Sequence, residues 1–134
     1  MAKFVKILDN VYIGGAIINS EEIIKHNIQV IINLTDVQRE NISNIQVKID
    51  TEKINMLEHG GNVNNFLHAT EVALSILNIN KKIFIQDYRG LFLSPVIAVL
   101  LHSTVNKCST EESIGVISEL LYDNLYYSVL LDCL

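Results

Sequence analysis

Residues 87–94 lie where a strand, a tight loop and the start of a helix follow one another, an arrangement that can bind an anion. Residues 83–85 form a short apolar run with the length and composition of a buried strand. Ser94 is a favourable helix N-cap, and Pro95 suits the first helical position because no N–H is needed there. A loop with Gly90 at its centre would direct successive backbone N–H groups inward, at the positive end of the helix dipole. The sequence therefore predicts an anion-binding loop formed by Asp87, Tyr88, Arg89, Gly90, Leu91, Phe92, Leu93 and Ser94.

The same segment resembles the phosphate-binding signature of the protein tyrosine and dual-specificity phosphatases, which reads His-Cys, two residues, Gly, one residue, Ser or Thr, Arg, Ser. Gly90 and Ser94 match that signature. The positions that carry the family's chemistry differ: Gln86 replaces the His, Asp87 the nucleophilic Cys, Phe92 the hydroxyl residue and Leu93 the Arg. The resemblance implies a degenerate member of the family, a pseudophosphatase that keeps the fold without the reaction.

A second match lies in the N-terminal half of the chain. Residues 11–14 read Val-Tyr-Ile-Gly, and residues 31–35 read Ile-Ile-Asn-Leu-Thr. In the family a similar strand, Leu-Tyr-Leu-Gly, is followed by a helix and then by a Val-Ile-Asn-Leu-Thr strand. This match is independent of the loop, and the resemblance extends over residues 9–133.

The substitutions in the signature argue against phosphate hydrolysis. In the family a thiolate attacks phosphorus, while loop N–H groups and a bidentate Arg bind the phosphoryl oxygens. Asp87 would bring a carboxylate to the nucleophile position, where two unit charges about 4 Å apart repel by roughly 4 kcal/mol at an effective dielectric of 20. Leu93 provides no guanidinium, and Phe92 provides no hydroxyl. We therefore expect no enzyme activity and no intact set of catalytic residues.

The family's general acid is an Asp on a loop that follows another strand, and the resemblance places Asp50 there. Residues 45–49 alternate apolar and polar side chains, the period of a half-exposed strand, and Asp50 follows them directly. In an alternative interpretation, Asp50 only caps the turn before residues 53–58.

Asp87 also suggests a structural role. The loop N–H groups still require an acceptor, and the carboxylate is placed to accept them in the position of the thiolate. Phe92 and Leu93 would then turn a polar pocket into an apolar surface. Arg89 is either a solvated loop residue or a clamp that swings toward an anion.

Three functions are compatible with these residues. The first is protein binding by an inactive phosphatase-like protein, as a competitor, scaffold or regulator of phospho-signalling whose partner is a phosphoprotein or an active phosphatase. The second is a phosphosite-binding module that uses the retained loop amides. The third is a residual phosphatase with Asp87 as an atypical nucleophile. An enzyme must hydrolyse a simple aryl phosphate and a phosphosite reader must bind phosphate-like anions, whereas a protein-binding module does neither.

Composition restricts the class of protein. The chain has 134 residues, 49% of them hydrophobic, which suits one domain, residues 1–134, with a proper core. The net charge of −5, with scattered Lys and Arg, argues against nucleic-acid and membrane partners. The N-terminus has no signal-peptide pattern and no apolar run reaches the roughly 18 residues of a bilayer span, which predicts an intracellular, cytoplasmic protein.

The remaining reactive side chains give no sign of a cofactor. Cys108 and Cys133 are well separated and are predicted to remain thiols. His59 and His68 are predicted to be surface residues, and no Cys/His cluster has metal-ligand spacing, so neither a metal nor a cofactor is expected. We expect a monomer or a homodimer. The many Ile and Asn residues are typical of an A/T-rich coding sequence, as in certain viruses, protists and low-GC bacteria.

The elements that must position the loop alternate between strands and helices. Strand patterns cover residues 4–8, 11–13, 28–34, 45–49 and 83–85. Helix patterns follow Ser20 and cover residues 63–77, 94–102 and 109–121, with a last short helix in residues 122–133 that carries Tyr122, Tyr126 and Tyr127. This order predicts an α/β fold: a three-layer dual-specificity-phosphatase-like domain whose central, mostly parallel twisted sheet of about 4–5 strands is flanked by helices.

Overall fold

The computed structural model describes residues 4–15, 19–34, 50–53, 63–87 and 93–121. The strands are β1 (Phe4–Leu8), β2 (Val11–Gly15), β3 (Val30–Asn33), β4 (Asp50–Lys53) and β5 (Ile83–Asp87). The helices are α1 (Ser20–Lys25), α2 (Val63–Leu77), α3 (Ser94–Asn106) and α4 (Thr110–Leu121). Several sequence predictions lie outside the described residues: the strand in residues 45–49, the loop residues 88–92, the helix in residues 122–133 with its tyrosines, His59 and Cys133.

The strands form a five-stranded sheet in the order β1-β2-β5-β3-β4. The pairs β2–β5, β5–β3 and β3–β4 are parallel, and β1 adds an antiparallel edge. All residues of β5 and β3 are buried, as expected for the apolar, β-branched runs of central strands covered on both faces. The predicted mostly parallel sheet is confirmed.

Helices cover both faces of the sheet. Successive residues of a strand point to opposite sides, so each strand contributes side chains to both faces. On β5, Ile83 and Ile85 pack in a large core with α2, α3 and α4, while Phe84 packs on the other face. That second face is closed by Ile23 of α1, together with Tyr12. These two cores make the predicted three layers.

The structure changes some of the predicted helix ends and agrees with others. The sequence predicts Ser20 as the cap of α1, but Asn19 caps this helix, since its Oδ1 accepts the Glu22 N–H at 3.2 Å. Helix α3 runs beyond the predicted end at residue 102 and stops where Lys107 adopts a left-handed conformation, with φ of 53°. Ser109 then caps α4, accepting the Glu112 N–H at 3.1 Å as its Ser-x-x-Glu spacing predicts. Among the described residues, no helix has both the length and the apolar character needed to cross a bilayer.

Candidate functional site

Asp87 is the last residue of the central strand β5, and helix α3 begins seven residues later at Ser94. It lies at the carboxyl edge of the parallel strands, in register with Gly15 of β2. Its side chain is buried, with 1% of its surface exposed. A carboxylate this deep requires hydrogen-bond donors, since burying an unpaired charge is costly.

Three donors converge on one oxygen of that carboxylate. Asp87 Oδ2 accepts the Leu93 N–H at 2.7 Å, the Ser94 N–H at 2.7 Å and the Ser94 hydroxyl at 2.9 Å. The N–H groups belong to the start of α3, where free backbone donors and the helix dipole favour an anion. The predicted contact between the Asp87 carboxylate and the backbone N–H groups at the start of this helix is therefore confirmed.

The prediction that Ser94 caps the helix is wrong. Ser94 is the first residue of α3, and the cap residue Leu93 makes no side-chain cap hydrogen bond. Asp87 takes over the capping role from the neighbouring strand, and the Ser94 hydroxyl donates to it instead of accepting an N–H. Pro95 was predicted at the first helical position and lies one residue later, still in the first turn of α3.

Leu93 was expected to contribute an apolar surface, and this prediction is wrong. Its side chain is only 5% exposed and belongs to the large core, together with Val96 and Ile97 of the same helix. The backbone of Leu93 is already helical, with φ of −91° and ψ of −38°. The position that carries the Arg in the family's signature therefore supplies packing in this chain.

A buried amide pair lies beside Asp87. Gln86, at the signature's His position, donates from Nε2 to Asn33 Oδ1 at 3.0 Å, and both side chains are buried. Asn33 and Gln86 are register partners on β3 and β5. The two segments that carry the family resemblance thus meet through this hydrogen bond. The signal in the sequence was Asn33, the one polar residue in the apolar, β-branched run of residues 30–34, because a polar side chain in a buried strand is expected to have a hydrogen-bond partner.

Asp50 lies at the wrong end of the sheet for the predicted general acid. It is the first residue of β4 and is in register with Val30, which in turn is in register with Ile83. Asp87 lies four residues further along β5, roughly 13 Å along the strand direction at about 3.3 Å per residue. The carboxyl end of β4 is Lys53, so the prediction that Asp50 follows its strand at this edge is wrong.

The described residues offer no metal centre at this edge or elsewhere: in residues 4–15, 19–34, 50–53, 63–87 and 93–121, no group of three or more His, Cys, Asp or Glu side chains could hold an ion. His68 is exposed on α2, as predicted. What the site can do chemically is to accept hydrogen bonds from the start of α3.

The sequence matches no protein-family model and no curated protein. Solved structures match the fold over nearly the whole chain. A leucine rich repeat and phosphatase domain containing protein from Entamoeba histolytica has a TM-score of 0.74 at 12% identity, covering 98% of this chain and 88% of that chain. PTPMT1 has a TM-score of 0.74 at 14% identity, with coverage of 98% and 91%. The human tyrosine phosphatase-like serine/threonine/tyrosine-interacting protein has a TM-score of 0.69 at 15% identity, with coverage of 97% and 92%. At these identities the likeness concerns the fold.

Proposed function

We propose that this chain, which has the fold of the protein tyrosine and dual-specificity phosphatases, does not hydrolyse phosphate esters and acts by binding a protein. The observation that carries the proposal is the buried Asp87 carboxylate with three hydrogen bonds from Leu93 and Ser94. The chain then works as a competitor, a scaffold or a regulator in phospho-signalling, with a phosphoprotein or an active phosphatase as its partner.

The first argument concerns the donors. A phosphoryl group at this edge would need the N–H groups at the start of α3, and the Leu93 and Ser94 N–H groups already donate to Asp87. The carboxylate would also repel it, by roughly 4 kcal/mol for unit charges about 4 Å apart at an effective dielectric of 20. A phosphosite reader and a residual enzyme both need this position open, so the geometry favours the protein-binding alternative.

The second argument concerns the reacting groups. Phosphoryl transfer needs a nucleophile that is free to attack and a cation that stabilises the transferred oxygens. Asp87 uses Oδ2 to hold the helix start, and Leu93 is packed in the core where a guanidinium would be needed. The Ser94 hydroxyl donates to the same carboxylate.

Protein binding is supported by one of the structures with the same fold. The human protein with 15% identity is named a tyrosine phosphatase-like serine/threonine/tyrosine-interacting protein. A phosphatase fold is thus compatible with a role in interaction, and the pairing of the Leu93 and Ser94 donors with Asp87 supports a role for the surface of this chain.

Anion-induced stabilisation tests the closed site. We expect the melting temperature of the native chain to be the same in millimolar tungstate as in chloride of equal ionic strength, because only a ligand that binds the folded state raises it. The Asp87→Ala chain frees the Leu93 and Ser94 N–H groups, so its melting temperature should rise in tungstate. A rise in the native chain would contradict the proposal and favour a phosphosite reader.

Turnover of an aryl phosphate tests the absence of catalysis. We expect no hydrolysis above background by the native chain. Hydrolysis that is lost in Asp87→Asn, a variant of nearly the same shape, would instead identify Asp87 as a nucleophile. Protein binding itself is tested by adding the chain to an active dual-specificity phosphatase and its phosphoprotein substrate, where a competitor or regulator changes the dephosphorylation rate.

A further inference from the structure

Three side chains with exchangeable protons meet at the carboxyl end of α3, far from Asp87. His102 lies on the last turns of α3, Cys108 in the connection to α4, and Ser113 in the first turns of α4. Ser113 Oγ lies 2.8 Å from His102 Nδ1 and 3.3 Å from Cys108 Sγ. The direct separation between Cys108 Sγ and His102 Nδ1 is 3.8 Å. The hydroxyl therefore bridges a thiol and an imidazole.

The hydrogen bonds of this cluster can be satisfied in two ways. In one, the Cys108 thiol donates to the Ser113 oxygen and the Ser113 hydroxyl donates to the lone pair of His102 Nδ1. In the other, the protonated Nδ1 donates to the Ser113 oxygen and the hydroxyl donates to a sulfur anion. The two arrangements differ by one proton moved from sulfur to imidazole through the hydroxyl. Neither leaves a bridging group without a partner.

The central residue of the cluster is buried, and its two outer residues are partly accessible to solvent. Ser113 is fully buried, whereas Cys108 and His102 are partly exposed. Two contacts hold the ends: the Cys108 N–H donates to the Ser103 carbonyl at 3.1 Å, and Asn106 donates to the His102 carbonyl at 3.1 Å. His102 also lines a cleft of about 580 Å³ that opens between β1, α2 and α3. Cys108 and Ser113 do not line this cleft, so a small molecule reaches the sulfur through the partial exposure of Cys108.

We propose that Cys108 is a modification site, a thiol that forms a mixed disulfide with small-molecule disulfides of the glutathione class, with His102 as its base through Ser113. As the sulfur attacks one sulfur of the small disulfide, a new S–S bond forms and the old one breaks. The Cys108 proton passes through Ser113 to His102, and the departing thiolate takes a proton from the imidazolium. The step consumes one disulfide and releases one thiol, so it needs no further oxidant. This site is independent of the proposed function.

The experiment measures the rate at which oxidised glutathione modifies Cys108, followed by intact and peptide mass spectrometry. A Cys133→Ser background leaves Cys108 as the only thiol. In that background we compare Ser113→Ala, His102→Gln and the control Ser103→Ala, whose hydroxyl donates within α3 to the Leu100 carbonyl. Circular dichroism verifies that each variant is folded, and the denatured Cys133→Ser chain gives the rate of an unassisted thiol.

We expect the folded chain to react faster than the denatured chain. Both Ser113→Ala and His102→Gln should slow the folded reaction by at least about tenfold, where general-base catalysis typically contributes roughly 100-fold or more. Ser103→Ala should react at the parent rate. Parent and variants that react within twofold of one another would overturn the proposal. So would a folded chain that reacts more slowly than the denatured one, a comparison that decides the question even if a variant does not fold.

Discussion

The two ends of helix α3 carry two polar clusters, and these clusters are built in opposite ways. At the amino end, Asp87 and Ser94 are both buried, and the carboxylate oxygen only accepts. At the carboxyl end, fully buried Ser113 is flanked by partly exposed His102 and Cys108. His102 is eight residues beyond Ser94, so the ends are about 12 Å apart along the axis at 1.5 Å per residue.

The difference separates a structural cluster from a reactive one. At the amino end, the Asp87 carboxylate accepts hydrogen bonds from backbone N–H groups that cannot change roles, so these donors are already paired when an anion approaches. The carboxyl end joins a thiol, a hydroxyl and an imidazole, each of which can both donate and accept a proton. Partial exposure adds access to solvent. Under the two proposals, the position that corresponds to the family's nucleophile has the structural role, and the reactive thiol lies at the opposite end of α3.

Among substitutions at the two ends of α3, the largest expected effect is at Leu93. Leu93→Ala removes buried apolar volume from the core at the amino end and should lower the free energy of unfolding by roughly 2–5 kcal/mol. Leu93→Met keeps the volume and should cost less than about 1.5 kcal/mol. Urea unfolding measures both. Equal, small losses would mean that Leu93 faces solvent, which would restore the apolar surface expected from the sequence.

Asp87→Ala should have the next largest effect. It leaves two N–H groups and a hydroxyl without this acceptor, and we expect a loss of roughly 2–3 kcal/mol in the free energy of unfolding. The loss is smaller than three charged hydrogen bonds would suggest, because removing a buried charge also removes its desolvation cost.

Asp87→Asn is the matched control for that experiment. It keeps an oxygen acceptor of the same reach without the charge, and since neutral hydrogen bonds are about half as strong as charged ones, it should lose about half as much. If Asp87→Ala is as stable as the native chain, the carboxylate does not cap α3, and the contrast between the two helix ends fails.

At the other end of α3, the cap of α4 should matter less. Ser109→Ala removes the acceptor of the Glu112 N–H and should cost about 1 kcal/mol in the free energy of unfolding. Thr104→Ala is the comparison, because its exposed hydroxyl only donates to the Leu100 carbonyl within α3. Equal losses for the two variants in urea unfolding would show that Ser109 is not a working cap.

Much of the amino end could be predicted from residue types. The apolar run before residue 86 and the Ser-Pro pair located β5 and α3, and the chemistry of a carboxylate beside free N–H groups predicted the role of Asp87. The fate of Leu93 could not be predicted, because an apolar residue at a helix start suits either surface or core, and the rotation of the helix against the sheet decides between them.

Asp50 and the carboxyl end of α3 show where sequence patterns fail. Residues 50–53 read Asp-Thr-Glu-Lys, which has no apolar alternation, so their strand conformation comes from pairing with β3. His102, Cys108 and Ser113 have no common helical spacing. They meet because the chain turns at Lys107, whose left-handed conformation ends α3, and α4 then packs against α3. The sequence predicts a break between residues 102 and 109, but it predicts neither the left-handed conformation of Lys107 nor how α4 packs against α3.

The smallest expected effect on stability is that of Ser113→Ala. This variant removes the hydroxyl between His102 and Cys108, yet both partners are partly exposed and can exchange the lost hydrogen bonds for water. We therefore expect a loss of only about 0.5 kcal/mol in the free energy of unfolding, the lower end for a hydrogen bond. Urea unfolding of Ser113→Ala beside Asp87→Ala measures the contrast directly. A loss as large as that of Asp87→Ala would make the carboxyl end a structural cluster too, whereas a small loss joined to a slower Cys108 reaction would assign its hydroxyl to reactivity.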